Sequence, residues 1–314
     1  MKLALLAVND SGAYPSSSAS LVMTLDREII PSLTPFRKPQ RTVPTMSIKE
    51  TSWDDLVLGT GEWGLIWETF HENSKATHYD DPPTTENVYQ RMLNLKNSLD
   101  YESFAPIALP ALDRFPAPRL TLDRAITSRA TPETLLPVTL SLETLACLLY
   151  YMYGINRTNV GTPLPRPFRN VPSGGGLFPL EIYFYTRGRV AGLNTGIYHY
   201  NPERSVVRRV IAEDMDDRIA RALFQPGIMA GCSVMFFQTA LFCRNTFKYR
   251  DRGYRFTLME SGHVGQNLNL MATALGLAVW NLGGFIDREI DALLGIDGVN
   301  HSTLYLHALG GRVT

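Results

Sequence analysis

Four short segments hold residue types that can do chemistry rather than packing. In Arg169-Asn170-Val171-Pro172-Ser173-Gly174-Gly175-Gly176, a proline fixes the entry, a serine offers a hydroxyl, and three glycines leave backbone N–H groups unshielded by Cβ atoms. Such a loop can lie against a flat, polar-edged ring or a phosphate, and a flexible surface loop has the same composition. In Phe247-Lys248-Tyr249-Arg250-Asp251-Arg252-Gly253-Tyr254-Arg255, Lys248, Arg250, Arg252, Arg255 and the nearby Arg244 crowd around one acid, Asp251. Crowded like charges disfavour a protonated amine, which would let Lys248 act as a base. Charge by itself favours a solvated basic loop, or one gripping a phosphate or an acidic peptide.

Two further segments are glycine-bearing. Glu260-Ser261-Gly262-His263-Val264-Gly265-Gln266-Asn267 sits in a helical pattern, with glycines for close packing and polar groups on adjoining faces. A lone helical histidine such as His263 is expected to be a hydrogen-bonded structural residue. Asn281-Leu282-Gly283-Gly284-Phe285 places paired glycines after a strand, open to close approach by a ligand or serving as a tight turn. Gly59-Thr60-Gly61-Glu62-Trp63-Gly64 matches a dinucleotide-binding pattern, with acids at Asp80 and Asp81 some twenty positions on. No apolar strand precedes those acids, and Trp63 is bulky beside the supposed phosphate, so a structural turn is the better reading.

The elements around these segments are legible in outline. Residues 1–8 suggest a strand, residues 16–20 and the Pro44 region suggest turns, and helices are expected over 63–73 and 85–99. Pro106, Pro110, Pro116 and Pro118 forbid regular helix and predict an extended surface connection. Ser141 can cap a helix whose apolar positions run from Leu142 to Met152 and stop at Gly154. Strands are expected over 180–186, 196–200, 232–240, 277–281 and 303–309. A long helix over 256–275 is closed by Gly276 in a left-handed conformation. Strands and helices mix without strict alternation, which predicts an α+β fold. The expected organisation is an extension over 1–60, a helical and proline-rich lead-in over 61–120, and a main domain over 121–314.

Composition narrows the function classes. The 314 residues are 45% apolar and 19% charged with zero formal net charge, so nothing pulls the whole chain toward nucleic acid or an anionic membrane. No apolar stretch reaches the roughly 18 residues of a membrane span. Three cysteines, an odd number in apolar surroundings, predict buried thiols in a reducing compartment, and a cytoplasmic location. The six histidines are scattered and no C-x-x-C occurs, so no metal site is expected.

Taken in order, these segments resemble the SagB-type dehydrogenase (azoline oxidase) branch of the nitroreductase family. Further blocks carry the likeness: His71-Glu72-Asn73-Ser74-Lys75, Leu140-Ser141-Leu142-Glu143-Thr144-Leu145, Gly196-Ile197-Tyr198-His199-Tyr200, Ala274-Leu275-Gly276-Leu277 and Leu293-Leu294-Gly295. The resemblance implies an FMN-binding fold with a central mixed or antiparallel sheet flanked by helices, and a homodimer with the flavin at the subunit interface. It implies phosphate contacts at Arg129 and Thr131. Glu133 stands where the family pattern has a second cation, and Arg312 is the candidate to supply that charge. Arg169, Pro172, Ser173, Gly174 and Gly175 would lie along the flavin with Gln266, and Gly283 and Gly284 would face the ring nitrogens. Lys248-Tyr249 matches the Lys-Tyr pair of azoline oxidases, with Lys248 as proton acceptor and Tyr249 orienting the ring or relaying the proton. The implied reaction oxidises a thiazoline or oxazoline in a ribosomally made precursor peptide, with dioxygen as final acceptor and a cyclodehydratase as partner. An NAD(P)H-dependent nitroreductase or flavin reductase, and a non-catalytic flavin-binding scaffold, are the alternatives.

Overall fold

The computed structural model describes residues 66–78 and 80–312. The expected strand over 1–8, the turns near 16–20 and Pro44, and the Gly59–Gly64 pattern lie outside the described residues. Chain compactness divides at Gly64 and Leu65, so the described residues belong to one unit, without a further break between lead-in and main domain.

Ten strands are described: β1 (Pro106–Ala108), β2 (Leu135–Leu136), β3 (Ile155–Asn159), β4 (Arg166–Arg169), β5 (Leu180–Thr186), β6 (Gly196–Asn201), β7 (Val206–Ile211), β8 (Val234–Leu241), β9 (Leu277–Leu282) and β10 (His301–Arg312). The described helices are α1 (Trp67–Asn73), α2 (Thr85–Leu93), α3 (Leu122–Ser128), α4 (Leu142–Tyr153), α5 (Asp216–Ala222), α6 (Ile228–Gly231), α7 (Cys243–Tyr249), α8 (Asp251–Ala274) and α9 (Asp287–Leu294). The main sheet runs β1-β7-β6-β5-β8-β10, and beyond β10 it forks to β9 and β2. Every strand pair in it is antiparallel, so the expected α+β class holds in its antiparallel form. β10 is the fork: β8 lines one edge from His301 to Leu309, β9 lines the other from Leu306 to Gly311, and β2 takes the last two positions. β3 and β4 form a separate hairpin.

The central strands β5 and β8 are covered on both faces, which is why their sequences run apolar without alternation. Phe184 and Phe236 point to the layer that contains Leu145, Leu149 and Met152 of α4 with Val264 and Leu268 of α8. Tyr183 and Phe237 point the other way, to Ile219 of α5 and Ile290 and Leu293 of α9. Each such buried side chain contributes roughly 2 kcal/mol, so these layers fix the sheet that holds the site.

Several expectations meet their physical reason here. Ser141 caps α4 by accepting from Thr144 N, and Gly276 ends α8 at φ +78°. The proline stretch is more than a connection. Pro106 opens β1, an edge strand paired to β7, where a missing N–H is tolerated. The helix expected to 99 ends at Leu93, because Asn94 turns out of helical geometry. β7 escaped the sequence reading because Arg208 and Arg209 break its apolar run, yet both guanidinium groups are used on carbonyls, of Phe104 and Thr195 respectively. Cys147 and Cys232 are buried, and burial raises their thiols to about 11 and about 12, whereas Cys243 is exposed against expectation. No helix among the described residues is long and apolar enough to cross a membrane, and no cluster of potential metal ligands occurs among them.

Candidate active site

The segment carrying Lys248 is not a loop. Phe242 starts α7, Lys248 and Tyr249 form its last turn, and α8 begins immediately after Arg250. Arg250 itself stands at φ +49°, ψ −137°, a conformation that costs a non-glycine residue on the order of 1–3 kcal/mol. The junction is stapled from below: Asn245 Nδ2 donates to the Gly253 carbonyl at 2.9 Å and to Thr257 Oγ1 at 2.8 Å. A Cβ on Gly253 would lie 2.9 Å from Asn245 Oδ1, so only glycine lets the helices meet this closely. The kink thereby fixes the direction in which the Lys-Tyr pair leaves the helix.

That direction is toward the glycine loop. Gly175 has φ +66°, and a Cβ built on it would sit 2.6 Å from Tyr249 Oη and 3.1 Å from Lys248 Nζ. Gly174 lies against the Phe256 ring, with an imagined Cβ 3.0 Å from its edge. Phe256 meets the Tyr249 ring edge-on, centroids 4.9 Å apart, and Lys248 Nζ stands 5.1 Å from the centre of that ring. Two segments about seventy residues apart in sequence, both singled out for their chemistry, are thus in direct contact. Residues 73–83 of the lead-in complete a cavity of about 300 Å³ lined by Ser74, Lys75, Asp80, Lys248, Tyr249 and Arg252 among others.

The other cations of the basic segment have separate tasks. Arg244 is buried in an ion pair with Glu181 at 2.6 Å. Burial alone would push the Glu181 carboxyl up, but Arg244, with a 2.6 Å hydrogen bond from His199, holds it well below the usual carboxylate range. Arg250 donates to the Asp81 carbonyl, and Arg255 donates to Ser74 Oγ at 2.7 Å and to the His71 carbonyl. These arginines strap the lead-in over the mouth of the cavity. Arg250 and Arg252 still line the same cavity as Lys248, whereas Arg244 and Arg255 are engaged elsewhere.

Beneath the loop lies a buried polar layer. Arg169 is turned inward, stacked 4.0 Å from the Tyr153 ring centre and 5.4 Å from that of Phe178, and donates to the Asn97 carbonyl at 2.5 Å. It supports the loop from below and does not line its open side. Ser173 accepts from Phe178 N at 3.0 Å and lies beside the Glu260 carboxylate, whose pKa its hydroxyl lowers. Tyr153 donates to Glu260 Oε1 at 2.6 Å and accepts from Leu180 N at 3.2 Å. Glu260 is only 2% exposed. Burial raises it to about 7, against the lowering effect of the Ser173 and Tyr153 hydroxyls. Tyr153 carried no signal in the sequence beyond an apolar helix position.

The remaining site candidates lie elsewhere. Gly283 and Gly284 do not touch this cluster: Gly284 faces the exposed Phe224 ring, and a Cβ on Gly283 would meet nothing within 4 Å. Arg312 pairs with Leu135 at the end of the sheet; Arg129, half-buried, follows α3, and Thr131 is exposed. Glu133 lines a separate cavity near Trp280. Gln266 is exposed on α8, beside Asn267, which donates to the Tyr151 carbonyl. His263 also faces solvent on α8. The structural histidines are instead the buried His199, His301 and His307, the last hydrogen-bonded to Gln238 and Asn281 at 2.6 and 2.7 Å and lowered to about 3 by burial.

The model of the nitroreductase family matches residues 126–311, from α3 through β10. The chain belongs to this family. Among its relatives is MJ1384 of Methanocaldococcus jannaschii, named as a nitroreductase, with 38% identity over 50% of this chain and 75% of that protein. Two others are peptide-processing proteins: the trifolitoxin-processing protein TfxB of Rhizobium leguminosarum bv. trifolii, 30% identical over 52% of this chain, and the microcin B17-processing protein McbC of Escherichia coli, 32% identical over 41%. The chain spans about half the length of these two, 45% of TfxB and 49% of McbC. Among solved structures, a nitroreductase-family protein of Anabaena variabilis superposes with a TM-score of 0.57 at 23% identity, covering 76% of this chain and 49% of that one. A chain of the E. coli microcin synthetase McbBCD complex, with truncated pro-MccB17 bound, superposes with a TM-score of 0.51 at 21% identity, covering 79% and 92%. At such identities the likeness establishes the nitroreductase fold. The two peptide-processing relatives place the chain beside the SagB-type branch suggested by its motifs.

Proposed function

We propose that this nitroreductase-family protein is an FMN-dependent oxidoreductase that converts thiazoline or oxazoline rings of a ribosomally made peptide into azoles. The observation that carries the reading is the contact of Lys248 and Tyr249 with Gly175, beside a cavity of about 300 Å³ that the same lysine and tyrosine line and that has room for a five-membered ring. A nitro reduction calls for no positioned base, whereas aromatising an azoline removes a proton as well as a hydride. Lys248 takes the proton from the ring carbon, and Tyr249, wedged between Phe256 and the loop, orients the heterocycle or relays that proton.

The residues present fit a flavin. Gly175 and Pro172 are exposed on the loop, and Gly283 opens on unfilled space. FMN, when bound, supplies the hydride-accepting ring, which dioxygen reoxidises. Arg129, Thr131 and Arg312 would hold the phosphate, Ser173 and Gln266 would contact the flavin's polar edge, and Gly283 and Gly284 would direct N–H groups at its nitrogens. Because the glycine pair and the Lys-Tyr cluster stand apart in one chain, the site is completed by a second copy. Exposed Leu122 and Ile126 of α3 and Leu258 and Met259 of α8 supply the apolar surface such a homodimer would bury. The relationship to TfxB and McbC supports a precursor peptide as substrate and a cyclodehydratase as partner. A cytoplasmic location accords with such a peptide substrate and with dioxygen as acceptor.

The test begins with the absorption spectrum of the purified protein and identification of any chromophore released by heat. A yellow protein that releases FMN and oxidises an azoline peptide, with oxidation lost in Lys248→Ala while FMN stays bound, is the expected result. Bleaching by NADPH without azoline turnover would replace this reading with a nitroreductase or flavin reductase.

A further inference from the structure

Two buried hydroxyls beneath the glycine loop share an unusual arrangement. Phe178 N donates to Ser173 Oγ, and Leu180 N donates to Tyr153 Oη. Tyr153, having accepted from Leu180 N, sends its own proton to Glu260 at 2.6 Å, and the Ser173 hydroxyl lies beside the same carboxylate. The turn from 173 to 180 is therefore tied to the carboxylate through Tyr153 of α4 at its far end, while its own serine stands beside that carboxylate at the near end. The same turn presents Gly174 to Phe256 and Gly175 to Tyr249 and Lys248. Glu260 sits on α8 one helical turn beyond Phe256, so a single helix sets both the floor and the wall of the cluster.

We propose that Glu260 is the positioning residue of this site: its carboxylate, through the Ser173 and Tyr153 hydroxyls, holds the 173–180 turn in the register that brings Gly174 and Gly175 against Phe256, Tyr249 and Lys248. The part of the proposal that concerns cofactor affinity rests on the flavin reading above. An ionised carboxylate offers hydroxyls two acceptor oxygens and no proton of its own, whereas an amide offers one oxygen and a competing NH2 donor. Glutamine in its place keeps one acceptor oxygen and sets an NH2 donor where the second oxygen stood, so a hydroxyl on that side meets a donor, at the cost of a loosened turn.

The charged and titratable groups facing Glu260 are few: Arg169 at the end of β4, Arg244 on α7 and the Tyr153 phenol on α4. Arg244 is already paired with Glu181, and Arg169 is committed to the Asn97 carbonyl and the Tyr153 ring. Neither forms an ion pair with Glu260, so its ionisation is set chiefly by burial against the two hydroxyls, and it changes charge near neutrality. If the flavin binds the turn in its carboxylate-held register, apparent affinity follows the ionised fraction. Between pH 8 and pH 6 that fraction drops roughly tenfold for a group titrating at about 7.

The experiment pairs amide hydrogen exchange of the flavin-free protein with FMN titrations from pH 6 to 8, for wild type, Glu260→Gln and Tyr153→Phe. The expected result has three parts: the 173–180 peptide exchanges faster in both variants, after correction for intrinsic rates, while β5 and β8 stay protected. Wild-type FMN affinity weakens roughly tenfold toward pH 6, and Glu260→Gln is flat at the weak level. Tyr153→Phe, which removes one tie and keeps the carboxylate, retains the pH slope and so stands in should Glu260→Gln fold poorly. Unchanged exchange of the peptide in both variants would overturn the positioning role whatever the flavin does. Faster exchange with wild-type FMN affinity at every pH would overturn the link from the turn to the cofactor. Faster exchange in a protein that binds no FMN at all would uphold the positioning role and sink the flavin reading alone.

Discussion

Replacing Gly175 with alanine perturbs the Lys-Tyr pair without altering either residue. At φ +66° the new residue bears a backbone cost of about 1–2 kcal/mol, the ordinary penalty of the left-handed region for a side chain. Its Cβ would lie 2.6 Å from Tyr249 Oη, where ordinary contact begins at 3.4 Å, so the hydroxyl must retreat by about 0.8 Å. Phe256, edge-on to the Tyr249 ring, limits where it can go, and Lys248 Nζ at 3.1 Å must also yield. Displacements near 1 Å at reacting groups cost on the order of 10²-fold in rate. Gly192→Ala is the control: its φ is +82°, and a Cβ there meets nothing within 4 Å, so it carries the backbone cost alone. The assay measures urea stability, bound FMN and azoline turnover for both variants. Similar stability losses, retained flavin in both, and a turnover loss of order 10²-fold confined to Gly175→Ala are expected. Full turnover by a folded, flavin-bearing Gly175→Ala protein would refute the claim that the loop holds the pair in place.

Other expectations follow from the same geometry. Glu260 has a folded value near 7 against an ordinary 4.5, so between these the native state holds a proton that the unfolded chain has released. Stability therefore falls as pH rises from about 4.5 to 7 and levels off above, by on the order of 3 kcal/mol, and urea titrations of Glu260→Gln should lack that slope. The ionised form holds the turn but is the costlier form to bury, which sets function against stability at one residue. Arg244→Ala leaves Glu181 buried with His199, the Ser98 hydroxyl and the Leu99 N–H but without its arginine, and should lose about 3–5 kcal/mol by denaturant titration. Arg255→Ala removes the hydrogen bonds to Ser74 and His71, and limited proteolysis should then cut near residues 71–83 while β5 and β8 persist. Size exclusion with light scattering should return twice the chain mass, and Ile126→Glu with Met259→Glu should shift it to one.

Patterns that repeat along the chain were legible before the structure. The Ser141 cap, the strand over Leu180–Thr186 and the Gly276 terminator needed only local rules, because each is decided within a few residues. Elements whose identity depends on distant partners were not. β7 is a strand because the carbonyls of Phe104 and Thr195 receive its arginines, and β1 because β7 gives its proline-bearing edge a partner. The site followed the same division. Lys248, Tyr249 and the 172–176 loop stood out by composition, whereas Tyr153 looked like one more apolar helix position until its hydroxyl was seen to join Leu180 to Glu260. The basic segment misled because charge in sequence says nothing of direction. Arg244 points into the core, and Arg250 and Arg255 point at the lead-in.

The forked strand β10 has a consequence for how the protein comes into being. β8, β9 and β2 are all synthesised before it, and each depends on it for its edge, so the sheet stays open until residue 312 has been made. Its partners include Leu135, more than 170 positions earlier, so closure joins sequence-distant segments and belongs to the slow, non-local class of folding steps. Until then the apolar strand Val234–Leu241 has a bare edge able to pair with another chain. Assembly of the molecule is thus a race between its last strand and its neighbours, and crowded, rapid expression favours the neighbours.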